Sequence, residues 1–86
     1  MSYRIDLVRS AERELRALPA VIYRRVVARL LRPSEEARPR GSRKLSHGPG
    51  WRLRVGDYRV LYTVDDEARV VTIYAVGHRR DIYRGS

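Results

Sequence analysis

Apolar and polar positions follow two different periods along this chain. Residues 3–7 alternate strictly, which predicts a short, half-buried strand. A helical period follows, with Ser10 as the expected N-cap residue and Ala11, Leu15 and Leu18 on one face. Pro19 ends this helix and begins a second one, whose apolar stripe contains Ile22, Val26, Val27, Leu30 and Leu31. The first half of the chain therefore predicts a strand and a helical hairpin.

The second half is irregular at first and then rich in strands. Residues 32–50 contain much Pro, Gly, Ser and charge, which predicts an irregular crossing with a brief strand at 43–45. Three strand-like segments follow, at residues 51–55, 58–64 and 70–76. Gly56 and Asp57 suit a two-residue hairpin turn, because glycine adopts the positive φ that such turns need. We expect one α+β domain over residues 1–86, an antiparallel meander of three to four strands with both helices on one sheet face.

The two-residue turn also determines which residues of the hairpin share a face. It sets Arg54 opposite Arg59, and Arg52 opposite Leu61, on the face away from the predicted helices. Like charges at opposed positions destabilise a strand pair by roughly 0.2–1 kcal/mol, so stability gives no reason for this arrangement. An anionic ligand would give one.

The charge of the chain supports the same interpretation. Nineteen Lys and Arg residues stand against ten Asp and Glu, a formal charge of +9, and Lys44 is the only lysine. Residues 38–59 hold seven of these cations and one anion, Asp57. A positive field focused on one stretch predicts a polyanionic partner, most simply nucleic acid, with an acidic protein or an anionic membrane surface as competitors.

Other classes of function are disfavoured by what the sequence lacks. The chain has no cysteine, and two histidines, His47 and His78, are too few for a typical structural metal cage, so we expect no metal and no other cofactor. No apolar run approaches the about 18 residues that span a bilayer, and the N-terminus lacks the apolar core of a signal peptide. We therefore expect a cytoplasmic protein.

A second group of cations follows the last predicted strand. Residues 77–83 read Gly-His-Arg-Arg-Asp-Ile-Tyr, which places a tyrosine among arginines. Guanidinium groups bind phosphate oxygens bidentately, and a tyrosine can stack on a base or exchange a proton. This combination favours RNA chemistry.

Together these segments resemble the RelE/ParE superfamily of bacterial and archaeal toxins, particularly its RelE-type messenger-RNA interferases. The resemblance spans nearly the whole chain and is carried by the opening strand and by residues 15–19, 43–45, 51–62 and 76–83. It implies a RelE-like fold and a ribosome-dependent endoribonuclease that cuts messenger RNA in the A site. It also implies metal-free cleavage, in which the ribose 2′-OH attacks the adjacent phosphate. The implied catalytic residues are Arg52, Arg54, Arg59, Arg79 and Tyr83, and we expect RNA to bind also to Arg43, Lys44, His78 and Arg80.

One departure from the RelE pattern limits which group can exchange a proton. Archetypal RelE sites have lysines where this chain has Arg52 and Arg54, and arginine does not release a proton near neutrality. Tyr83 is therefore the expected base, while the strand arginines stabilise the phosphorane and Arg79 contacts the phosphate or the leaving oxygen. His78 is the alternative base, and His47 is expected to be a surface residue.

Two other functions remain open at the level of sequence. A ParE-type toxin would share the fold but inhibit DNA gyrase without cutting RNA, and a non-catalytic module would bind RNA or ribosomes only. Either toxin class implies a small, partly acidic antitoxin as a partner. The interferase would also contact messenger RNA and the 30S ribosomal RNA. The toxin alone is expected to be a monomer that does not bind membranes.

Overall fold

The fold of the protein is an α+β arrangement in which two helices cover one face of a mixed sheet. The computed structural model describes residues 2–35, 37–38, 41–47 and 50–82. In this part of the chain the elements are β1 (Arg4–Leu7), α1 (Arg9–Arg16), α2 (Ala20–Glu35), β2 (Ser42–Lys44), β3 (Trp51–Val55), β4 (Tyr58–Asp65) and β5 (Val70–His78). The sheet order is β1-β5-β4-β3-β2. The predicted α+β class, the helical hairpin and the antiparallel meander are confirmed.

The first strand has a place in the sheet that its sequence pattern alone does not indicate. β1 lies parallel to β5, with Arg4 opposite Val70 and Leu7 opposite Ile73. Past Ile73 the edge of β5 has no strand beside it among the described residues. There, Oε1 of Glu14 in α1 accepts the backbone N–H of Val76 at 2.9 Å. A side chain of the first helix thus satisfies an edge donor that would otherwise be open to pairing.

The start of α1 differs from the prediction. Its N-cap residue is Val8, in an extended conformation and with no side-chain cap, so the prediction of Ser10 as N-cap is wrong. The backbone N–H of Val8 donates to the carbonyl of Ile73 at 3.0 Å, and the carbonyl of Val8 accepts the N–H of Glu12 at 3.0 Å. The backbone of Val8 therefore takes part in both elements, because its N–H bonds to the sheet and its carbonyl accepts the first bond of the helix.

The hairpin of β3 and β4 confirms the predicted turn and the predicted faces. Val55 lies opposite Tyr58 and Leu53 opposite Val60, with Gly56 in the turn at φ +59°. Leu53 and Val60 are fully buried and belong to one core that the helices share. The other core residues are Ala11, Leu15, Val26, Leu30, Ala37, Val55, Tyr62, Val71, Ile73 and Val76.

A cluster of polar contacts attaches the segment after α2 to the far end of the sheet. Arg38 donates to both carboxylate oxygens of Asp66, at 3.3 and 3.0 Å, and Tyr3 donates its hydroxyl to the same carboxylate at 2.8 Å. The Arg38 guanidinium also lies 5.1 Å from the ring centroid of Trp51. The hydrogen bonds from Arg38 and Tyr3 lower the pKa of Asp66 below its usual value. Arg38, one of the seven clustered cations, is therefore held in an ion pair.

We expect the Asp66 cluster to stabilise the protein in a pH-dependent way. Because the folded state lowers the pKa of Asp66, its contribution is present above the ordinary carboxyl pKa of about 4 and is lost as the pH falls through the lowered value. Asp66→Asn should therefore melt at a lower temperature than the wild type at pH 7, and the difference should shrink toward pH 2. Melting temperatures across this range, with Glu67→Gln in the same turn as the control, test this. A difference that does not change with pH would contradict it.

Candidate functional site

The sheet face away from the helices carries two pairs of opposed arginines. Arg43 of β2 lies opposite Arg52 of β3, and Arg54 of β3 lies opposite Arg59 of β4. The first pair adds a second like-charge contact to the one that the hairpin turn predicted. We call this surface, with Arg43, Arg52, Arg54 and Arg59, the arginine face. Like charges at opposed positions destabilise a strand pair in general, and a bound anion would offset this cost.

The two members of the hairpin pair have different environments. Arg54 is exposed, whereas Arg59 is only 9% exposed. Nη1 of Arg59 donates to the carbonyls of Gly56 and Tyr58, both at 2.9 Å. These are charge-assisted bonds to the backbone of the turn. Arg59 therefore stabilises the hairpin turn, and its positive charge is largely buried beneath the arginine face.

An open groove on the arginine face brings several of the expected residues together. Its volume is about 670 Å³, and its lining residues are Arg43, Lys44, Leu45, Ser46, His47, Arg52, Leu61 and Tyr74. We call it the basic groove, because among the described residues its lining includes three cations and no carboxylate. His47, expected on the surface, is exposed and lies at this groove.

Tyr74 reaches the basic groove through an irregularity in β5 that the sequence analysis missed. The pairing changes from Leu61 opposite Ala75 to Tyr62 opposite Ile73, so Tyr74 is an extra residue in a β-bulge. The bulge explains why Ile73 and Val76 are both buried although they are three positions apart. This break in the period of two is the signal that could have indicated a bulge.

A second, smaller groove adjoins the same part of β4 and β5. Its volume is about 320 Å³, and its lining residues are Glu14, Leu61, Tyr74, Ala75, Val76, Gly77, Asp81 and Ile82. We call it the C-terminal groove. Ile82 closes over Gly77, since a Cβ placed on that glycine would be 3.5 Å from Cδ1 of Ile82. Leu61 and Tyr74 are common to both grooves.

The residues that follow β5 are held beside the hairpin turn. The backbone N–H of Arg79 donates to the carbonyl of Asp57 at 2.8 Å, and its Nε lies 3.9 Å from Oδ1 of the same residue. Both side chains are exposed, so this long ion pair contributes little stability. Arg79 thus stands at the tip of the hairpin with its guanidinium in solvent. Tyr83 lies outside the described residues.

His78 is placed apart from the basic groove. It lies opposite Tyr58, and the two rings meet edge to face with centroids 5.3 Å apart. Because opposed residues share a face and Tyr58 alternates with Arg59, His78 projects to the helix side. Its Nδ1 accepts the backbone N–H of Arg80 at 3.1 Å. The side chain of Arg80 is exposed.

The expected site residues thus fall into separate groups. Arg43, Lys44 and Arg52 line the basic groove, and Arg54 and Arg59 lie opposite each other near the hairpin turn. Within the described part of the chain, no three His, Cys, Asp or Glu residues are grouped so that they could hold a metal ion. None of the described helices is both long and apolar enough to cross a membrane.

Comparison with known proteins identifies one family and several relatives. The family model of the ParE toxin of type II toxin-antitoxin system, parDE, matches residues 5–83. Toxin RelG of Mycobacterium tuberculosis (strain ATCC 25618 / H37Rv) is 35% identical over 86 residues, covering 98% of this chain and 99% of that protein.

Two solved structures share the fold over nearly the whole chain. The toxin-antitoxin complex RelBE2 from Mycobacterium tuberculosis matches with a TM-score of 0.81 and 33% identity, over 92% of this chain and 100% of that chain. The archaeal RelE-RelB complex from Pyrococcus horikoshii OT3 matches with a TM-score of 0.81 and 31% identity, over 94% and 99%. The order of helices and strands described above is therefore one that these toxins share.

The different environments of the two hairpin arginines lead to a test of stability. Arg59→Lys keeps the charge but cannot reproduce both bonds to the turn carbonyls, so we expect a loss of about 1–2 kcal/mol in the free energy of unfolding. Arg54→Lys at the opposed, exposed position should change it by less than about 0.5 kcal/mol. Urea denaturation of both variants measures these values. Equal losses would contradict the structural role of Arg59.

Proposed function

We propose that this chain, which belongs to the ParE toxin family of type II toxin-antitoxin systems within the RelE/ParE superfamily, is a ribosome-dependent endoribonuclease of the RelE type. The observation that carries the proposal is the pairing of like charges on the arginine face. A phosphate chain bound across these pairs would offset their repulsion. The similarity to proteins named RelG, RelBE2 and RelE supports the nuclease over a gyrase inhibitor.

In the proposed reaction, the ribose 2′-OH of messenger RNA attacks the phosphorus atom next to it. The oxygen–phosphorus bond that forms closes a 2′,3′-cyclic phosphate, and the bond to the 5′-oxygen breaks. One proton leaves the 2′-OH and another reaches the 5′-oxygen, so the products are a cyclic phosphate and a 5′-hydroxyl. The protein's task is to supply positive charge around the phosphorane and to exchange these protons.

We assign the positive charge to the arginines around the hairpin. Arg52 and Arg54 contact the phosphate oxygens from the arginine face, and Arg79 contacts the phosphate or the leaving oxygen beside the turn. Fixed cations that need no rearrangement stabilise developing negative charge most effectively. The bonds from Arg59 to the carbonyls of Gly56 and Tyr58 supply this rigidity. Arg59 therefore supports its neighbours as well as adding charge.

We assign proton exchange to Tyr83 rather than to His78. Arginine stays protonated at all relevant pH values, so a phenol or an imidazole must act as the base. The geometry of His78 argues against it, because its ring packs against Tyr58 and its Nδ1 is already an acceptor for Arg80. Tyr83 is the phenol that the resemblance to RelE-type toxins assigns to this role.

We propose a cognate antitoxin as the partner of the toxin in the cell. The relatives from Mycobacterium tuberculosis and Pyrococcus horikoshii are complexes of a toxin with its antitoxin. A formal charge of +9 favours an antitoxin with an acidic segment that covers the arginine face or the helical hairpin. Such a segment would compete with messenger RNA for the same cations.

Primer extension on messenger RNA bound to translating ribosomes tests the proposed function. The wild type should produce discrete cuts in A-site codons, and Arg52→Ala and Arg79→Ala should each reduce the cleavage rate by roughly 100-fold or more. Arg24→Ala, an exposed arginine of α2, is the control and should cut normally. A DNA gyrase supercoiling assay runs in parallel. An uncut messenger with blocked supercoiling would reassign the chain to gyrase inhibition.

A second pair of variants tests which residue exchanges the proton. Tyr83→Phe should lower the single-turnover cleavage rate by roughly 100-fold or more, the usual contribution of a general acid or base. His78→Asn, which keeps an acceptor for Arg80, should leave the rate within about threefold, since changes of that size lie within ordinary packing effects. The reverse pattern would make His78 the base. Unchanged cleavage by Tyr83→Phe would remove Tyr83 from the mechanism.

A further inference from the structure

Tyr74 lines two grooves that differ in charge. The lining of the basic groove includes the cations Arg43, Lys44 and Arg52. The lining of the C-terminal groove includes two carboxylates, Glu14 and Asp81, and no cation among the described residues. A nucleotide that contacts Tyr74 therefore has one favourable direction, with its phosphate in the basic groove and away from the carboxylates.

The ring is also held across the sheet in a defined position. The bulge in β5 directs Tyr74 toward Leu61 of β4, which is only 5% exposed. At Gly50, the residue before β3, an added Cβ would be 3.2 Å from the hydroxyl oxygen of Tyr74. The hydroxyl of Tyr74 therefore lies beside the residue that precedes β3. An aromatic ring fixed in this way can receive a base at little cost in side-chain entropy.

Other aromatic side chains of the sheet are engaged in contacts within the protein. Trp51 lies under the guanidinium of Arg38, Tyr58 packs against His78, and Tyr62 is 1% exposed. Tyr74 is also engaged within the protein, and it lines both grooves. Its side chain therefore lies at the same groove as Arg43, Lys44 and Arg52.

We propose that Tyr74 is the platform on which one base of single-stranded RNA stacks, with the phosphate of that nucleotide in the basic groove. This inference rests on the proposed function, since it describes how the same substrate lies on the arginine face. Single-stranded RNA binds to proteins through this combination of a cationic groove and an aromatic platform. Tyr74 then positions the substrate, and the arginines around the hairpin act on the phosphate.

Binding of an uncleavable RNA tests the proposal apart from catalysis. The ligand is a hexanucleotide with 2′-O-methyl riboses, which has no 2′-OH to attack, and with one 2-aminopurine whose fluorescence is quenched on stacking. Inorganic polyphosphate, which has charge but no base, is the comparison ligand. We expect Tyr74→Leu to weaken RNA binding by about 5- to 100-fold and to abolish the quenching, while polyphosphate binding stays unchanged.

Three further variants define the contribution of the ring. Tyr74→Phe keeps the aromatic face and should bind RNA like the wild type. Tyr23→Leu replaces a tyrosine of α2 that is 39% exposed and should change nothing. Arg52→Gln should weaken the binding of both RNA and polyphosphate, because it removes charge from the basic groove.

Several outcomes would overturn the proposal. The first is that 2-aminopurine fluorescence stays unquenched when the wild type binds the RNA. The second is that Tyr74→Leu weakens the binding of RNA and of polyphosphate equally. The third is that Tyr74→Phe and Tyr74→Leu weaken RNA binding equally. If Tyr74→Leu does not fold, the wild type is instead tested with a set of hexanucleotides that each lack one base. At one position, the missing base should weaken RNA binding by the same 5- to 100-fold. Unchanged affinity at every position would overturn the proposal. Quenching of 2-aminopurine without ribosomal cleavage would refute the proposed nuclease activity and would still support base stacking on Tyr74.

Discussion

The register of the β3–β4 hairpin places Arg52, Arg54 and Arg59 together on the face of the sheet away from the helices. A shift of one residue would turn Leu53 and Val60 toward solvent and the arginines toward the core. The register is held where the turn is tightest. Gly56 adopts φ +59°, and Arg59 binds the carbonyls of Gly56 and Tyr58. A residue expected to touch the substrate therefore also maintains the geometry of the arginine face.

The clustered positive charge is tolerated because the protein does not leave all of it on one surface. Arg38 belongs to the same basic stretch of sequence, but it pairs with Asp66 and lies over Trp51. Arg59 directs its guanidinium at the turn carbonyls. Arg54 and Arg79 are exposed near the tip of the hairpin, and Arg52 lines the basic groove. Repulsion is thus concentrated where an anion can relieve it.

The parts of the fold that the sequence predicts correctly depend on contacts close along the chain. The period of two in β3 and β4 and the turn at Gly56 determine the opposed pair Arg54 and Arg59, and the helical stripe identifies Val26 as core. The contacts that were missed join distant segments. Neither the parallel pairing of β1 with β5 nor the Asp66 cluster leaves a periodic signal. Ser10 was assigned as a cap because local propensity carries no information on the bond between Val8 and Ile73.

The bulge in β5 links the missed features to the candidate site. One extra residue allows Ile73 and Val76 to face the core together, and the residue left over is Tyr74. On the side away from β4, the same stretch of β5 has no strand beside it past Ile73 in the described part of the chain. There the backbone N–H of Val76 donates to Oε1 of Glu14 in α1. Glu14 also lines the C-terminal groove, whereas Arg43, Lys44 and Arg52 line the basic groove. A single irregularity of β5 thus completes the core and contributes Tyr74 to two grooves that differ in charge.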